Sequence, residues 1–261
     1  MTLPAQSPVI SIITVVRNGA ASIEACVNSV TKHASADIEF IVIDGGSTDG
    51  TAEILRNHES KISFWSSEPD QGIYDAMHKG LRQAHGQWVL FLGCDDELAI
   101  SPTQLIPCLR KPNTIYYGNA YWKHSGRTYD GPFSAAKLAR INLCQQAVLY
   151  PRAALAKHPF NPRYRYQADW ELNMRCFNDP GFCFEYLPLT IAIYNDATGA
   201  STLSRDLTLE ADYIALLWRH FPIPIAMWYS SLVLGGRLLR KLGFVGPPLV
   251  GAPQGAIKRI K

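Results

Sequence analysis

Long apolar runs alternate with helix-period segments in the N-terminal part of the chain. Residues 9–16 (VISIITVV) and 39–44 (EFIVID) have the length and β-branched content of strands that are buried on both faces. Between them, residues 23–30 place apolar side chains at the i, i+3, i+4, i+7 spacing of one helical face. The chain is therefore predicted to begin with a strand, a helix and a second strand.

A second helix and two further strands follow in the same alternating pattern. Residues 51–58 predict a short helix with Thr48 or Asp49 as its N-cap, because small polar side chains can accept the free backbone N–H bonds of the first turn. Residues 61–66 and 87–93 have the composition of the third and fourth strands.

A third helix is predicted between those two strands, over residues 72–86 (GIYDAMHKGLRQAHG). Its period turns Ile73, Met77 and Leu81 toward the core, and Gly86 is expected to end it. Strands that alternate with helices through short links predict an α/β fold, in which a mostly parallel sheet is covered by helices on both faces.

The second half of the chain has a less regular pattern. Residues 113–122 and 145–151 predict strands, residues 182–195 predict a pair of strands, and residues 170–178 predict a helix. No linker or low-complexity tract interrupts the chain. We therefore expect one domain over residues 1–204, with a first half to about residue 100 and a second half over about 101–204.

The C-terminal tail, residues 205–261, is predicted to be helical and basic. Its longest uncharged run, residues 222–236, is shorter than the roughly 20 residues that a membrane-spanning helix needs. Two interpretations stay open: a segment that lies on a membrane surface, or a helix packed on the core. The basic residues that favour the first are Arg237, Arg240, Lys241, Lys258, Arg259 and Lys261.

Composition narrows the classes of function. The formal net charge of +3 and pI of about 8.5 are too small an excess to indicate a nucleic-acid partner. Six cysteines occur without a C-x-x-C pair or zinc spacing, which predicts free thiols in a reducing compartment. The first apolar run has no basic region before it, so a secretory signal is not expected. We therefore expect a cytoplasmic protein, held at the inner face of the cell membrane if the tail binds lipid.

Polar residues follow three of the predicted strands. They are residues 14–18, residues 44–49, and the adjacent pair Asp95 and Asp96. Because ligands of parallel α/β sheets bind beyond the carboxyl ends of the strands, we expect these residues to share one edge and form a ligand site.

The stretch FIVIDGGSTDGT, residues 40–51, lacks the dinucleotide fingerprint, the phosphate-loop lysine and the spacing of a calcium loop. Asp44 is placed to accept a hydrogen bond from a ring N–H, such as that of uracil. Gly45 and Gly46 carry no side chains and would let a flat base approach the backbone. Asp49 is interpreted as a turn residue that caps the next helix.

Two further acidic stretches predict a metal and a base. Asp95 and Asp96 end an apolar run, where a divalent cation such as Mg²⁺ or Mn²⁺ would offset their charge, and a solvated loop is the alternative. Asp169 and Glu171 lie two residues apart on a predicted helix, so only one can face a given cleft. Asp169 could also serve only as the cap of that helix.

Five stretches together carry a family resemblance. SIITVVRNG, VIDGGSTDGT, EPDQGIYDAMHKG, LFLGCDDEL and ADWELNMR resemble, in order and spacing, the successive motifs of bacterial family 2 glycosyltransferases. The resemblance covers roughly residues 9–180. It implies a GT-A-type, Rossmann-like fold, a nucleotide-sugar donor (for which a UDP-sugar is expected), a divalent metal and inversion at the anomeric carbon.

The resemblance also implies roles for individual residues. It assigns Asp96 to the metal and Asp169 to the general base, with Glu171 as the alternative. The residues that it assigns to the nucleotide and the donor are Thr14, Val16, Arg17, Asn18, Asp44, Gly45, Asp70, Gln71, Gly72, Lys79 and Asp95.

The acceptor side is less defined. Gln145, Gln146, Tyr164 and Arg165 are expected to border the acceptor cleft, and residues 195–206 to form either a loop that closes over the donor or an ordinary surface loop. A glycan or a polyprenyl-diphosphate-linked sugar is the expected acceptor, in the synthesis of a cell-surface polysaccharide. The alternatives are a nucleotidyltransferase on a related sheet and a sugar-binding module without activity.

Overall fold

The structure, a computed structural model, describes residues 7–129, 131–197 and 204–241. Within these ranges one nine-stranded sheet has the strand order β3-β2-β1-β4-β8-β6-β9-β5, and β7 pairs with β6. The strands are β1 Ile10–Val16, β2 Ile38–Asp44, β3 Phe64–Ser67, β4 Trp88–Gly93, β5 Glu97–Leu98, β6 Thr114–Trp122, β7 Arg127–Tyr129, β8 Val148–Pro151 and β9 Cys183–Tyr194.

Helices cover both faces of this sheet. In the part of the chain that the structure describes, three short 3₁₀ segments lie between the regular elements: Glu59–Lys61, Ile106–Cys108 and Gln145–Ala147. The α-helices in the described residues are α1 Ile23–Thr31, α2 Thr51–Asn57, α3 Ile73–Gln83, α4 Pro102–Leu105, α5 Ala135–Arg140, α6 Arg152–Lys157, α7 Ala168–Phe177, α8 Leu207–His220 and α9 Ile223–Lys241.

The first four strands form the parallel part of the sheet. β1 lies between β2 and β4, and β3 pairs with the outer side of β2. The register places Val16 opposite Asp44 and Val15 opposite Gly93, so these strands end at the same edge. The α/β fold predicted from the alternating pattern is therefore confirmed, and the three polar strand ends share one edge as predicted.

Beyond β4 the sheet is mixed. β8 runs antiparallel to both β4 and β6, and β9 runs parallel to β6. The prediction of a pair of strands over residues 182–195 is wrong, because β9 is one strand whose pairing with β6 shifts register at Gly118. A Cβ atom at Gly118 would lie 2.5 Å from the backbone oxygen of Leu189, so this irregular crossing requires a glycine.

Two hydrophobic cores follow from the alternation of side chains along the strands. On one face Ile13 packs with residues of α3 and α5 to α9, including Met77 and Leu172. On the other face Ile12 packs with residues of α1, α2 and α4, including Leu55. Strands that are apolar on both faces explain why the runs in the sequence are continuous rather than alternating.

Three predicted helix ends differ from the structure. The N-cap of α2 is Gly50, in the left-handed region at φ 99°, rather than Thr48 or Asp49. Helix α3 ends at Gln83, before Gly86, whose missing side chain lets the chain pass over β1. The N-cap of α7 is Gln167, so Asp169 lies within the first turn and does not cap the helix.

The C-terminal helices pack on the face of the sheet that carries α7. The carboxylate of Asp206 caps α8 by accepting from the backbone N–H of Leu209, 3.1 Å away. Ala226 and Val233 are the buried apolar residues of α9. Within the described residues, no helix combines the length and apolar character needed to cross a membrane. Lys258, Arg259 and Lys261 lie outside the described residues.

Candidate active site

Asp44 closes β2 and is completely buried. Its carboxylate accepts hydrogen bonds from the backbone N–H and hydroxyl of Ser47 and from the hydroxyl of Ser67, which is 2.5 Å away. Because the Asp44 carboxylate is completely buried, the predicted hydrogen bond from a base N–H requires a side chain beside it to move aside. Hydrogen bonds from two serines, one in the loop after β2 and one at the end of β3, are a feature that the sequence pattern did not reveal.

The loops after β1 and β2 are joined by reciprocal hydrogen bonds. Asn18 adopts a left-handed backbone conformation at φ 54°, and its N–H donates to Ser47 Oγ at 2.7 Å. Its side-chain oxygen accepts from the N–H of Thr48 at 3.0 Å. Asp49 accepts from the N–H groups of Ala20 and Thr51, as expected for a turn residue. The exposed Asn18 therefore joins the two loops and fixes the shape of this edge.

Thr14 does not reach the edge of the sheet. It is completely buried, and its hydroxyl lies 3.7 Å from the Sγ atom of Cys26 on α1. Strand alternation turns its side chain under the helix, so the hydroxyl of Thr14 is not exposed to a ligand at this edge. Val16, the last residue of β1, and the exposed Arg17 are the β1 candidates that lie at the edge.

Gly45 makes room for a carboxylate of the same chain. A Cβ atom at this position would lie 2.1 Å from Asp70 Oδ2, so the expected open surface for a base is occupied by the Asp70 side chain. The other oxygen of Asp70 accepts from the N–H of Gly72 at 2.9 Å. This contact brings the segment before α3 onto the end of β2.

The predicted donor residue Lys79 holds that segment in place. Its ammonium group donates to the backbone oxygen of Pro69 at 2.9 Å and lies 3.0 Å from the carboxylate of Glu68. The N–H of the exposed Gln71 donates to Asp75 at 3.1 Å. Lys79 therefore fixes the shape of the 68–72 segment beside the end of β2.

The aspartate pair follows β4 and contacts the residue after β9. The backbone N–H of Asn195 donates to Asp96 at 2.7 Å, and its side-chain amide donates to Asp95 at 3.3 Å. The Gln146 side chain also hydrogen-bonds to Asp96. Burial, followed by the charge of Asp95, raises the pKa of Asp96 well above its ordinary value. The sequence did not identify Asn195 as the partner of both acids.

This pair fits a hard divalent cation. Its protein ligands would be oxygen atoms, which suits Mg²⁺ or Mn²⁺. Among the described residues, no group of three or more His, Cys, Asp or Glu side chains is arranged to hold a metal. Two adjacent carboxylates leave most of a metal's coordination positions to water and substrate phosphates, which is the usual arrangement for magnesium.

Asp169 lies in the first turn of α7 and is 8% exposed. One carboxylate oxygen accepts from the hydroxyl of Tyr74 at 2.8 Å, and the other accepts from the side-chain amide of Asn142 at 2.6 Å. Burial raises the pKa of Asp169 to about 6, although these two hydrogen bonds favour the ionised form. A carboxylate with this pKa is largely ionised at neutral pH and is suited to accept a proton.

A buried polar network orients Asn142. The Asn173 amide donates to Asn142 Oδ1, and the Tyr150 hydroxyl donates to Asn173 Oδ1, both at 2.8 Å. These bonds fix the Asn142 amide with its N–H group toward Asp169. Tyr74, Asn142 and Asn173 were not predicted from the sequence. The detectable signal was Asn173, an amide four residues after Asp169 and therefore on the same side of α7.

Glu171 faces away from this network. Its carboxylate forms an ion pair with Arg175 at 2.9 Å on the same helix. Burial raises the pKa of Glu171, and the charge of Arg175 opposes that rise. As expected from the sequence, Asp169 and Glu171 lie on different sides of α7. This arrangement favours Asp169 over Glu171 as the candidate base.

The predicted acceptor residues divide into two groups. Gln146 contacts Asp96, whereas Gln145 is buried with its amide nitrogen 3.7 Å from the Sδ atom of Met77. The hydroxyl of Tyr164 donates to Asp212 on α8, so this side chain does not offer its hydroxyl to the site. Arg165 is exposed. Of the predicted 195–206 loop, residues 198–203 lie outside the described residues.

Comparison with known proteins identifies the family. The model of Glycosyl transferase family 2 matches residues 11–178. A PGL/p-HBAD biosynthesis glycosyltransferase of Mycobacterium bovis (strain BCG / Pasteur 1173P2) is 34% identical over 204 residues, which cover 75% of this chain and 80% of that protein. The chain belongs to glycosyltransferase family 2, which confirms the resemblance and favours glycosyl transfer over nucleotidyl transfer.

Solved structures confirm the fold class. S. aureus TarS 1–349 in complex with UDP matches with a TM-score of 0.63 and 18% identity, over 90% of this chain and 72% of that one. The mannosyltransferase PcManGT from Pyrobaculum calidifontis, in complex with GDP-Man and Mn²⁺, matches with a TM-score of 0.62 and 16% identity, over 95% and 87%. The GT-A-type fold is therefore established for this chain.

Proposed function

We propose that this protein is an inverting glycosyltransferase that moves a sugar from a UDP-sugar to an acceptor hydroxyl. The observation that carries the proposal is the environment of Asp169. This buried carboxylate has a pKa raised to about 6 and is held by Tyr74 and Asn142. The aspartate pair is linked to the same region, because residues 142–146 contact Asp169 at one end and Asp96 at the other.

Asp169 takes the proton from the acceptor hydroxyl in the proposed mechanism. The acceptor oxygen attacks the anomeric carbon as the bond from that carbon to the diphosphate oxygen breaks. Attack from the face opposite the leaving group inverts the configuration. Tyr74 and Asn142 each donate to one oxygen of Asp169, and each oxygen keeps a further lone pair for the acceptor hydroxyl.

The nucleotide is proposed to lie against the ends of β1 and β2, close to Val16, Arg17 and Asp44. A uracil N–H would then replace a serine hydroxyl as a donor to Asp44, and Asp70 with Gly72 would shape the pocket beside it. The UDP in the TarS structure and the GDP-Man in the PcManGT structure support a nucleoside diphosphate at this edge, and the choice of uridine follows from the expected hydrogen bond between a uracil N–H and Asp44.

A Mn²⁺ or Mg²⁺ ion is proposed to bind Asp96, with Asp95 close to the donor ribose or sugar. When bound, the ion neutralises negative charge on the diphosphate leaving group. Hydrogen bonds from Asn195 and Gln146 hold the Asp96 carboxylate in position. The Mn²⁺ in the PcManGT mannosyltransferase complex supports this proposal.

The acceptor is proposed to be a glycan or a polyprenyl-diphosphate-linked sugar used for a cell-surface polymer or glycolipid. The named role of the mycobacterial relative in PGL/p-HBAD biosynthesis supports an acceptor of this kind. We place the reaction at the inner face of the cell membrane, with the C-terminal tail in contact with lipid. The tail's basic residues support that placement.

A panel of nucleotide sugars tests donor and mechanism together. Thermal unfolding is measured with each donor, with Mn²⁺ or with a chelator, and we expect selective stabilisation by a UDP-sugar that depends on the metal. Proton NMR of the product bond then gives its anomeric configuration. Equal stabilisation by all nucleotides would contradict the donor assignment, and retention of configuration would contradict the mechanism.

A further inference from the structure

The C-terminal helices expose a large apolar surface, which we name the tail face. Its members lie on α8 and α9, and each is between 41% and 65% exposed. The residues of the tail face are Trp218, Ile223, Met227, Trp228, Leu232, Leu234, Leu238 and Leu239.

The tail face is unusual for a surface in water. Ala226 and Val233 already bury the opposite side of α9 against the protein, so the exposed residues are additional to those that hold the helix in place. The guanidinium group of Arg237 turns back and donates to the backbone oxygen of Glu210 at 2.9 Å. Many exposed apolar side chains on one pair of helices indicate a site of contact with a protein or a membrane.

The charge of the tail favours a membrane over a second copy of the protein as the partner of the tail face. The tail, residues 205–261, contains eight Lys or Arg and three Asp or Glu residues, a formal charge of +5, and all three acids precede Tyr213. A second copy would bring an equal positive charge to the contact, whereas anionic lipid headgroups would neutralise it. Trp218 and Trp228 also suit the membrane interface, where indole rings are enriched.

We propose that the tail face docks on an anionic lipid bilayer, with α9 lying along the surface rather than crossing it. This proposal rests on the proposed function, because a lipid-linked acceptor is the reason for the enzyme to bind a membrane. Its physical basis is independent of that function, since it depends on the exposed apolar residues and the basic composition of the tail.

Docking would also fix the position of the candidate base relative to the membrane. The Asp206 carboxylate accepts from the N–H groups of Tyr166 at 2.9 Å and Gln167 at 3.3 Å, directly before α7. Tyr213 on α8 packs against the ring of Trp170 at 5.5 Å and donates to the backbone oxygen of Ala139. These contacts join the tail to the helix that carries Asp169.

Vesicle flotation of the full chain tests the proposal. The probes are phosphatidylcholine vesicles with and without phosphatidylglycerol. We expect binding that needs the anionic lipid and weakens with salt. The variant Trp228→Glu should reduce the partition coefficient by about tenfold or more, because it removes an indole ring from the tail face and adds a negative charge. Phe64→Glu, at an exposed apolar residue on β3, should bind as the wild type does.

Several results would overturn docking. They are equal binding to neutral vesicles, no binding, or undiminished binding by Trp228→Glu. Sedimentation that shows a dimer dissolved by Trp228→Glu would assign the tail face to a second copy instead. Hydrolysis of the UDP-sugar in solution is measured in parallel, so that a wild-type chain that hydrolyses the donor but does not bind vesicles refutes docking and leaves the proposed function intact.

Discussion

The hydroxyl of Tyr74 donates to Asp169 at 2.8 Å, and it favours the ionised carboxylate that the proposed mechanism requires. The substitution Tyr74→Phe removes this donor while keeping the ring that packs 4.8 Å from Phe160. The pKa of Asp169 should therefore rise. Since the base acts only when ionised, the acidic limb of the rate profile should move to higher pH.

The size of the shift follows from the strength of the lost bond. A hydrogen bond to a charged group contributes about 1.5–3 kcal/mol, and one pKa unit corresponds to about 1.36 kcal/mol. The pKa of about 6 should therefore rise to between about 7 and 8. At pH 6 the ionised fraction, and with it kcat/KM, should fall by about 5- to 50-fold.

Steady-state kcat/KM for sugar transfer, measured from pH 5 to pH 9.5, is the assay. The variant should approach wild-type activity at the alkaline end of the range. Tyr117→Phe is the matched control, because Tyr117 is also buried and its hydroxyl contacts the backbone of Phe133 rather than Asp169. A uniform loss of activity at every pH in Tyr74→Phe, or an equal shift in the control, would refute the reasoning.

Three further predictions concern the acids and Gly45. Asp96→Ala should abolish the Mn²⁺-dependent gain in UDP affinity measured by calorimetry, and an unchanged gain would contradict the assignment. Gly45→Ala should displace Asp70, whose oxygen lies 2.1 Å from the added Cβ, and raise the KM for donor by about tenfold without moving the pH profile. Because Asp169 has a folded-state pKa raised from 3.8 to about 6, its ionisation destabilises the fold as pH rises through that window. Asp169→Asn should thus raise the calorimetric stability by about 1–3 kcal/mol at pH 7.5 and by less at pH 4.

The strands were predictable where burial on both faces made the sequence pattern continuous. β1, β2 and β4 are such strands, and their parallel order places Asp44 and Asp96 at the same edge. β9 was not predictable as one strand, because Pro188 interrupts its pattern and the irregular pairing with Gly118 depends on a distant strand.

The candidate acids were predictable from the sequence, and their partners were not. Asp169 could be identified because the ADWELNMR stretch resembles a family motif and places this acid in the first turn of a helix. Its partners Tyr74 and Asn142 precede it by 95 and 27 residues, so no local spacing connects them. Asp44 shows the same limitation, since its burial depends on Ser67 from a different strand.

The most direct test of the central claim, that Asp169 is the general base, is the single-turnover transfer rate of Asp169→Asn beside that of Glu171→Gln. We predict that Asp169→Asn binds the donor normally and transfers sugar about 10²- to 10⁴-fold more slowly. Glu171→Gln, which alters only the Arg175 ion pair, should transfer sugar within a few-fold of the wild-type rate. Near-normal transfer by Asp169→Asn, or a comparable loss in Glu171→Gln alone, would contradict the claim.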